Sequence, residues 1–253
     1  MSTKISIVTV TRNSAETIED TILSVAGQSY PHVEHIVIDG ASTDDTMGII
    51  NWHIDKFHKV VSEPDGGIYE AMNKGIHLAT GDVVGFLNAD DVYSDANVLG
   101  VIANAFEDAT VSACYGDLVY VDKSLSRIVR YWKSQPYQYG LFEKGWMPAH
   151  PTFFVRRTIF ERYGDFDITF QLQSDFDLTM RFLSICKIQS VYLPKVLVKM
   201  RIGGATNRSV TNVIKGNIEA YRICRKNGLR VSPFFIITKI LSRVPQFFSK
   251  PPA

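Results

Sequence analysis

Val83 to Leu87, VVGFL, is almost wholly apolar and is followed at once by Asn88-Ala89-Asp90-Asp91. A short run of that kind suits a strand buried on both faces of a parallel sheet, which requires helices on either side. Open α/β sheets place their ligands at the carboxyl ends of such strands. Asn88, Asp90 and Asp91 would then stand in a crevice as oxygen donors for a divalent cation that also takes phosphate oxygens. On these residues alone the run suits equally well a cap for the following helix, since Asn and Asp are favoured there.

The preceding chain supplies the rest of such a sheet. Lys4 to Thr11, KISIVTVT, is rich in β-branched residues and predicts the first strand. Arg12 follows, and Asn13 with Glu16 three residues on reads as a capped start for a helix over 14–26. Tyr30-Pro31 makes a turn, Val33 to Asp39 is a second strand, and Gly40 to Asp45 is a polar loop opening a helix. Lys59 to Ser62 is a third strand, and Ile68 to Ala79 a helix that leads into VVGFL. Right-handed crossovers joining parallel strands are the economical topology, and the first hundred residues read as a nucleotide-binding half. Asp39 closes the second strand, where doubly wound folds often place a ribose- or base-binding acid, although a turn residue is the commoner role. The first turn has no G-x-G-x-x-G, which disfavours a dinucleotide-dependent dehydrogenase.

Beyond Asp91 the pattern changes. A helix over 97–106 precedes strands Ser112 to Val121 and Ser126 to Trp132, paired antiparallel through 122–125. Tyr137 to His150, with Tyr139, Phe142 and Trp146, reads as a loop or short helix lining a pocket. His150 leads into a strand, Thr152 to Arg156. Gln173 to Ser184 predicts a helix with Phe176, Met180 and Leu183 on one face and Asp175 and Asp177 in its first turn, where the helix dipole alone would favour acids. Strands over 188–193 and 196–200 and an Arg201-Ile-Gly-Gly corner come before a long helix from Ser209 to Asn227. The final stretch, Ser232 to Lys250, spaces Phe234, Ile237, Leu241, Val244 and Phe248 on one helical side, with Lys239, Arg243, Gln246 and Lys250 on another; Pro245 should kink or end it. Such a basic amphipathic helix either docks on the domain or lies on a membrane surface.

Charge is divided very unevenly. Residues 1–184 carry 14 basic and 25 acidic side chains, and residues 185–253 carry 13 basic and one acidic, so a net −11 faces a net +12 in a chain whose total is only +1. The total argues against nucleic acid as partner, while the basic end calls for an anionic one. With 253 residues, 45% of them hydrophobic, one enzyme-sized core is expected. Three scattered cysteines predict reduced thiols and a cytoplasmic protein, and neither a secretory signal nor a membrane-spanning run is evident.

Four stretches in this order, IVTVTRN, VIDGASTDDT, EPDGGIYEAMNKGIHLATGDVVGFLNADD and QSDFDL, resemble bacterial family 2 glycosyltransferases of the GT-A fold over roughly residues 4–185, those that build exopolysaccharide, capsule or O-antigen. The resemblance implies an α/β, Rossmann-like, mixed and mainly parallel sheet flanked by helices. It implies a GT-A domain over 1–207, with a nucleotide-sugar half near 1–100 and an acceptor half near 101–207, and a basic helical extension over 208–253. It also implies Thr9, Arg12, Asp39, Asp65 and Asn73 in the nucleotide and donor pocket, with Asn88-Ala89-Asp90 at the position of the family's D-x-D triplet. Asp90 and Asp91 would hold Mg²⁺ or Mn²⁺; Asn88 departs from the pattern and offers only a neutral oxygen. Asp175 corresponds to the family's general base, and His150, Arg201, Gly203 and Gly204 to its acceptor cleft and late flexible loop. The implied reaction is inverting transfer of a sugar from a nucleotide-diphosphate donor, a UDP-sugar in the first instance, to a glycan or polyprenyl-linked acceptor, in the cytoplasm or at the inner face of the cell membrane. The alternatives are a sugar-phosphate nucleotidyltransferase, which would want a glycine-rich loop after the first strand, and a degenerate sugar-nucleotide-binding subunit, suggested by Asn88.

Overall fold

The structure is a computed structural model that describes residues 2–203 and 210–251. Strands β1 (Ile5–Thr11), β2 (Val33–Asp39), β3 (Lys59–Ser62) and β4 (Val83–Phe86) are joined by helices α1 (Ile18–Ala26), α2 (Thr46–Trp52) and α3 (Ile68–Leu78). All three strand pairs among them are parallel. Period-2 alternation divides β1 between two layers. Val8 and Val10 pack with Ala71, Met72 and Ile76 of α3, whereas Ile5 and Ile7 pack on the other face with Val25 of α1. After β4 the chain adds β5 (Asp91–Tyr93), α4 (Val98–Ala105), β6 (Ala113–Val121), β7 (Ile128–Trp132), β8 (Phe154–Arg156), α5 (Arg157–Tyr163), α6 (Ser174–Met180) and β9 (Ser190–Arg201). The sheet is mixed and nine-stranded, in the order β3-β2-β1-β4-β8-β6-β9-β5, with β7 paired to β6.

Several elements differ from the sequence reading. Asn13 does not cap α1: its backbone is left-handed (φ 52°), and its Oδ1 accepts from Thr43 N at 2.8 Å, tying the turn after β1 to the loop after β2. Residues 190–201 form one strand rather than two, because Pro194 falls where the register with β6 shifts, a place at which a missing N–H is tolerated. Gly204 and Ser209, the corner and helix start expected there, lie outside the described residues. α6 runs into a turn of π-helix, Arg181–Ile185.

The basic end docks, but with the opposite face from the one its spacing suggests. α7 (Val210–Lys226) sets Ala220, Ile223 and Cys224 into the cluster that also holds Phe142, Phe176 and Phe182. α8 (Phe235–Leu241) adds Phe235 to it, and a 3₁₀ turn, Val244–Phe247, carries Pro245 at its start. Lys239, one turn after Phe235, is only 1% exposed. Its apolar stem can be buried because the ammonium reaches Gln173 Oε1 at 3.0 Å and the face of Phe176 at 4.9 Å. Phe234, Ile237, Leu241, Val244 and Phe248 consequently face outward, Phe248 at 82% exposure. No helix among the described residues is long and apolar enough to cross a membrane.

At the amino end of the sheet, Glu34 is buried under donors that sequence pattern does not disclose. Its carboxylate accepts from Ser6 Oγ (2.5 Å), Thr80 N (2.6 Å), Thr80 Oγ1 (2.6 Å) and Gly81 N (3.1 Å), and pairs with Lys4. Burial alone would raise its pKa, but the bonds from Lys4, Ser6 and Thr80 outweigh it and bring the group to about 2. A carboxyl held below its unfolded value contributes stability that is fully present above that value and lost as pH falls through the folded one. Glu34→Gln should therefore cost about 3 kcal/mol at pH 7, roughly half of that at pH 3, read as the difference in urea unfolding between the two proteins at each pH. Equal unfolding midpoints at pH 7 would contradict this.

Candidate active site

β1, β2 and β3 finish side by side, with Thr11 in register with Asp39 and Asp39 with Ser62. The Asp39 carboxylate takes Ser42 N at 3.0 Å, Ser62 Oγ at 2.6 Å and the Ser42 hydroxyl. A carboxylate has about four acceptor positions, and the protein fills three of them around this fully buried group. Beside it, Gly40 lets the chain pass closely under two side chains: a β-carbon there would lie 2.7 Å from Asp65 Oδ2 and 3.4 Å from Arg12 Cδ. Arg12 and Asp65 thus both lie close to Gly40 at the strand ends.

Two residues expected in this pocket are committed elsewhere. Thr9 is fully buried, and its hydroxyl bonds His35 Nε2 at 2.9 Å in the interior; Thr11, one pleat further on, is in register with Asp39 and has a buried hydroxyl with no partner among the described residues. Asn73 spends both ends of its amide on Phe166, donating to the carbonyl and accepting from the N–H, each at 3.0 Å. That pair clamps α3 to the segment before α6 and leaves little of the amide for a ligand.

The turn after β4 is closed by Asp91 N donating to Asn88 O at 3.0 Å, and Asp91 then opens β5 against Met200 of β9. Arg201 belongs to this turn and not to an acceptor cleft: it is buried, donates to the Asp90 carbonyl at 2.9 Å and the Lys123 carbonyl at 3.0 Å, and pairs with Asp20. Asp91 is completely buried; burial first, and then the Asp90 charge, push its pKa well up. Asp91 Oδ1 and Asn88 Oδ1 are both buried without a hydrogen-bond partner among the described residues. A hard divalent cation fits this all-oxygen set, with Asp90 and Asp91 as charged ligands and Asn88 as a neutral one. Those residues form a partial set, since no group of three or more His, Cys, Asp or Glu side chains among the described residues is placed to hold a metal. Ligand oxygens or water would have to complete it.

Asp175 lies in the first turn of α6, and its charge, like that of Asp91, bears on the buried Tyr120. Its Oδ1 accepts from Tyr69 OH of α3 at 3.3 Å and from Phe176 N at 2.8 Å. His150 is buried, stacked on Phe86 of β4 at 5.4 Å and edge-on to Phe166 at 5.6 Å. Burial lowers its pKa, and the field of Asp175 opposes that shift. Both His150 nitrogens, Trp146 Nε1 and Ser174 Oγ are buried with no partner among the described residues. Unsatisfied polar atoms interleaved with aromatic faces suit a ligand that offers hydroxyls and apolar ring faces. Tyr69 lies within a motif singled out from sequence, yet only the fold brings it to Asp175.

Comparison with known proteins shows the family and the fold. An uncharacterized glycosyltransferase of Mycobacterium tuberculosis is 30% identical over 243 residues, covering 92% of this chain and 89% of that one. Among solved structures, Staphylococcus aureus TarS 1-349 in complex with UDP-GlcNAc superposes with a TM-score of 0.67 at 19% identity, over 95% of this chain and 67% of that one. A Pyrobaculum calidifontis mannosyltransferase with GDP-Man and Mn²⁺ gives the same score and identity, over 96% and 70%. These two likenesses establish the GT-A fold. The profile of glycosyl transferase family 2 matches residues 6–164, and on that match and the mycobacterial relative the chain belongs to glycosyl transferase family 2.

Proposed function

We propose that this glycosyltransferase moves a sugar, with inversion, from a nucleoside diphosphate donor to a hydroxyl of a glycan or lipid-linked acceptor in cell-surface polysaccharide synthesis. The observation that carries the reading is a pair of chemically distinct clusters: Arg12, Asp39, Asp65 and the Asn88–Asp91 turn at the strand ends for the donor, and Asp175, bonded to Tyr69 and acting on His150, for the acceptor. The similar structures hold a UDP-sugar and a GDP-sugar, which supports a donor of that class. Residues 1–100 would serve the donor and 101–207 the acceptor, with 208–253 as the extension.

A sugar hydroxyl is a weak nucleophile, so Asp175 takes its proton as the oxygen attacks the anomeric carbon. The bond to the diphosphate oxygen breaks on the opposite face, the electron pair leaves with the diphosphate, and one displacement inverts the anomeric centre. Tyr69 and the Phe176 N–H hold one Asp175 oxygen, which leaves the other for the acceptor. Asp39 orients the base through its remaining acceptor position. Bound Mg²⁺ or Mn²⁺ at Asp90 and Asp91 supplies charge neutralisation for the departing diphosphate, and the manganese in the mannosyltransferase supports a cation of this kind.

The outward row Phe234, Ile237, Leu241, Val244 and Phe248 fits peripheral attachment to an anionic membrane, because the same segment exposes Lys215, Arg222, Arg225, Arg230 and Lys250. Each cation near an anionic bilayer adds roughly 1 kcal/mol within a Debye length.

Asp175→Asn keeps shape and removes basicity, so release of nucleoside diphosphate from donor should fall on the order of a hundred- to ten-thousand-fold while nucleotide affinity is retained. Near-normal turnover would sink the role given to Asp175. For the membrane surface, wild-type chain should cosediment with phosphatidylglycerol vesicles more than with phosphatidylcholine vesicles, and the double variant Leu241→Asp, Phe248→Asp should lose that binding. Undiminished sedimentation of the double variant, or none by the wild type, would count against the surface.

A further inference from the structure

Tyr69, Asn73 and His77 stand four residues apart along α3, so their side chains share one face of the helix. All three reach toward α6 or the stretch that precedes it. His77 Nε2 lies 2.7 Å from Asp165 Oδ2. Asn73 holds both backbone groups of Phe166, its Nδ2 donating to the carbonyl and its Oδ1 accepting from the N–H, each at 3.0 Å. Tyr69 stacks on the Phe166 ring, with centroids 5.5 Å apart and planes 26° from parallel, and its hydroxyl donates to Asp175 Oδ1 at 3.3 Å. Arg181, in the π-helical turn that continues α6, donates to the carbonyls of Tyr163, Gly164 and Asp165 and ties the same stretch to α6.

Phe166 is buried, and its ring meets Phe86 edge-on at 5.3 Å and His150 edge-on at 5.6 Å as well as stacking on Tyr69. One backbone position therefore sets the ring against which both Tyr69 and His150 pack. A side-chain amide carries a donor and an acceptor side by side, so Asn73 fixes that position in direction as well as in distance. Burial, and next the charge of Asp175, raise the Tyr69 pKa well above its ordinary value, so the phenol keeps the proton that it donates. α3 also begins beside the donor cluster: Asp65 Oδ1 accepts from Gly67 N at 2.9 Å, immediately before the helix.

We propose that Asn73 is a positioning residue for Asp175 and not a donor-binding one: it fixes Phe166, Phe166 fixes Tyr69, and Tyr69 fixes the orientation of the carboxylate. The role rests on the transferase reading, since that orientation matters for transfer only if Asp175 takes the acceptor's proton. It departs from the donor-pocket place that the family resemblance implies for Asn73. A misplacement of about 1 Å at a reacting group can cost on the order of a hundredfold in rate, so a clamp one residue removed from the base has room for a measurable effect.

A double-mutant cycle on the full chain tests this, with release of nucleoside diphosphate in Mn²⁺ from UDP-GlcNAc or GDP-mannose, whichever the wild type hydrolyses, as the readout. Tyr69→Phe and Asn73→Ala should each lower kcat about tenfold and leave the donor KM within about twofold of wild type. Together they should cost about tenfold again, not the roughly hundredfold expected of independent sites. Effects that multiply, or an Asn73→Ala chain with raised donor KM and unchanged kcat, would overturn the role. If Asn73→Ala melts early, Phe166→Leu takes its place in the cycle, with the same losses expected and the same contrary results. The relay is also read without donor, from ¹⁹F spectra of chain labelled with 3-fluorotyrosine, in which the Tyr69 signal is the one missing from Tyr69→Phe. Asp175→Asn should shift that signal and Asn73→Ala should shift it in the same direction; a signal unmoved by Asn73→Ala would overturn the relay. A shifted signal in a chain whose wild type hydrolyses neither donor would count against the transferase reading and leave the relay standing.

Discussion

The burial of Asp91 is the constraint around which the two halves of this protein meet. Its backbone closes the turn after β4 and opens β5, whose partner β9 belongs to the later half of the chain. Its carboxylate keeps one oxygen without a partner among the described residues, beside a second acid. A carboxylate in such surroundings needs positive charge nearby to remain ionised. Arg201 provides some of that field, although its hydrogen bonds go to the Asp90 and Lys123 carbonyls and to Asp20. The turn is thereby braced from three elements, while Asn88 Oδ1 and Asp91 Oδ1 keep no partner among the described residues.

Much of this was legible in the sequence, and the part that was not follows a physical pattern. β2 and β3 end where β-branched runs and turn residues put them, because parallel strands under two helical layers need nearly continuous apolar sequence. The aspartates at strand ends were visible for the same reason. β5 was missed because three residues carry no periodicity, and its place depends on pairing with a strand about a hundred residues later. Thr9, Asn73 and Arg201 sit inside or beside recognisable motifs, yet each spends its polar atoms on the protein itself: His35, the Phe166 backbone, and the clamp on the β4 turn. A motif records which residues recur together; the partner of each side chain is set by tertiary contacts.

The C-terminal helix shows the same limit from another side. Spacing identified an apolar stripe, but docking is decided by which face fits, and Phe235 with the stem of Lys239 fits between α6 and the Gly145 turn. The stripe is left outward and Lys239 is carried inward onto Gln173 and Phe176. Burial, with Arg243 nearby, lowers the Lys239 pKa to about 7, so this helix is held by apolar contact in spite of its charge.

The central claim is that the crevice binds a nucleoside diphosphate sugar with the help of a cation at Asp90 and Asp91. Thermal melting of the purified chain with UDP- and GDP-sugars, in Mn²⁺ or in EDTA, tests it most directly, because a ligand that binds only the folded state raises the melting temperature by mass action. The account predicts that at least one donor raises it in Mn²⁺, that EDTA removes most of the shift, and that Asp90→Ala abolishes the metal-dependent part. No shift with any donor in Mn²⁺, or an equal shift in Mn²⁺ and EDTA, would contradict it.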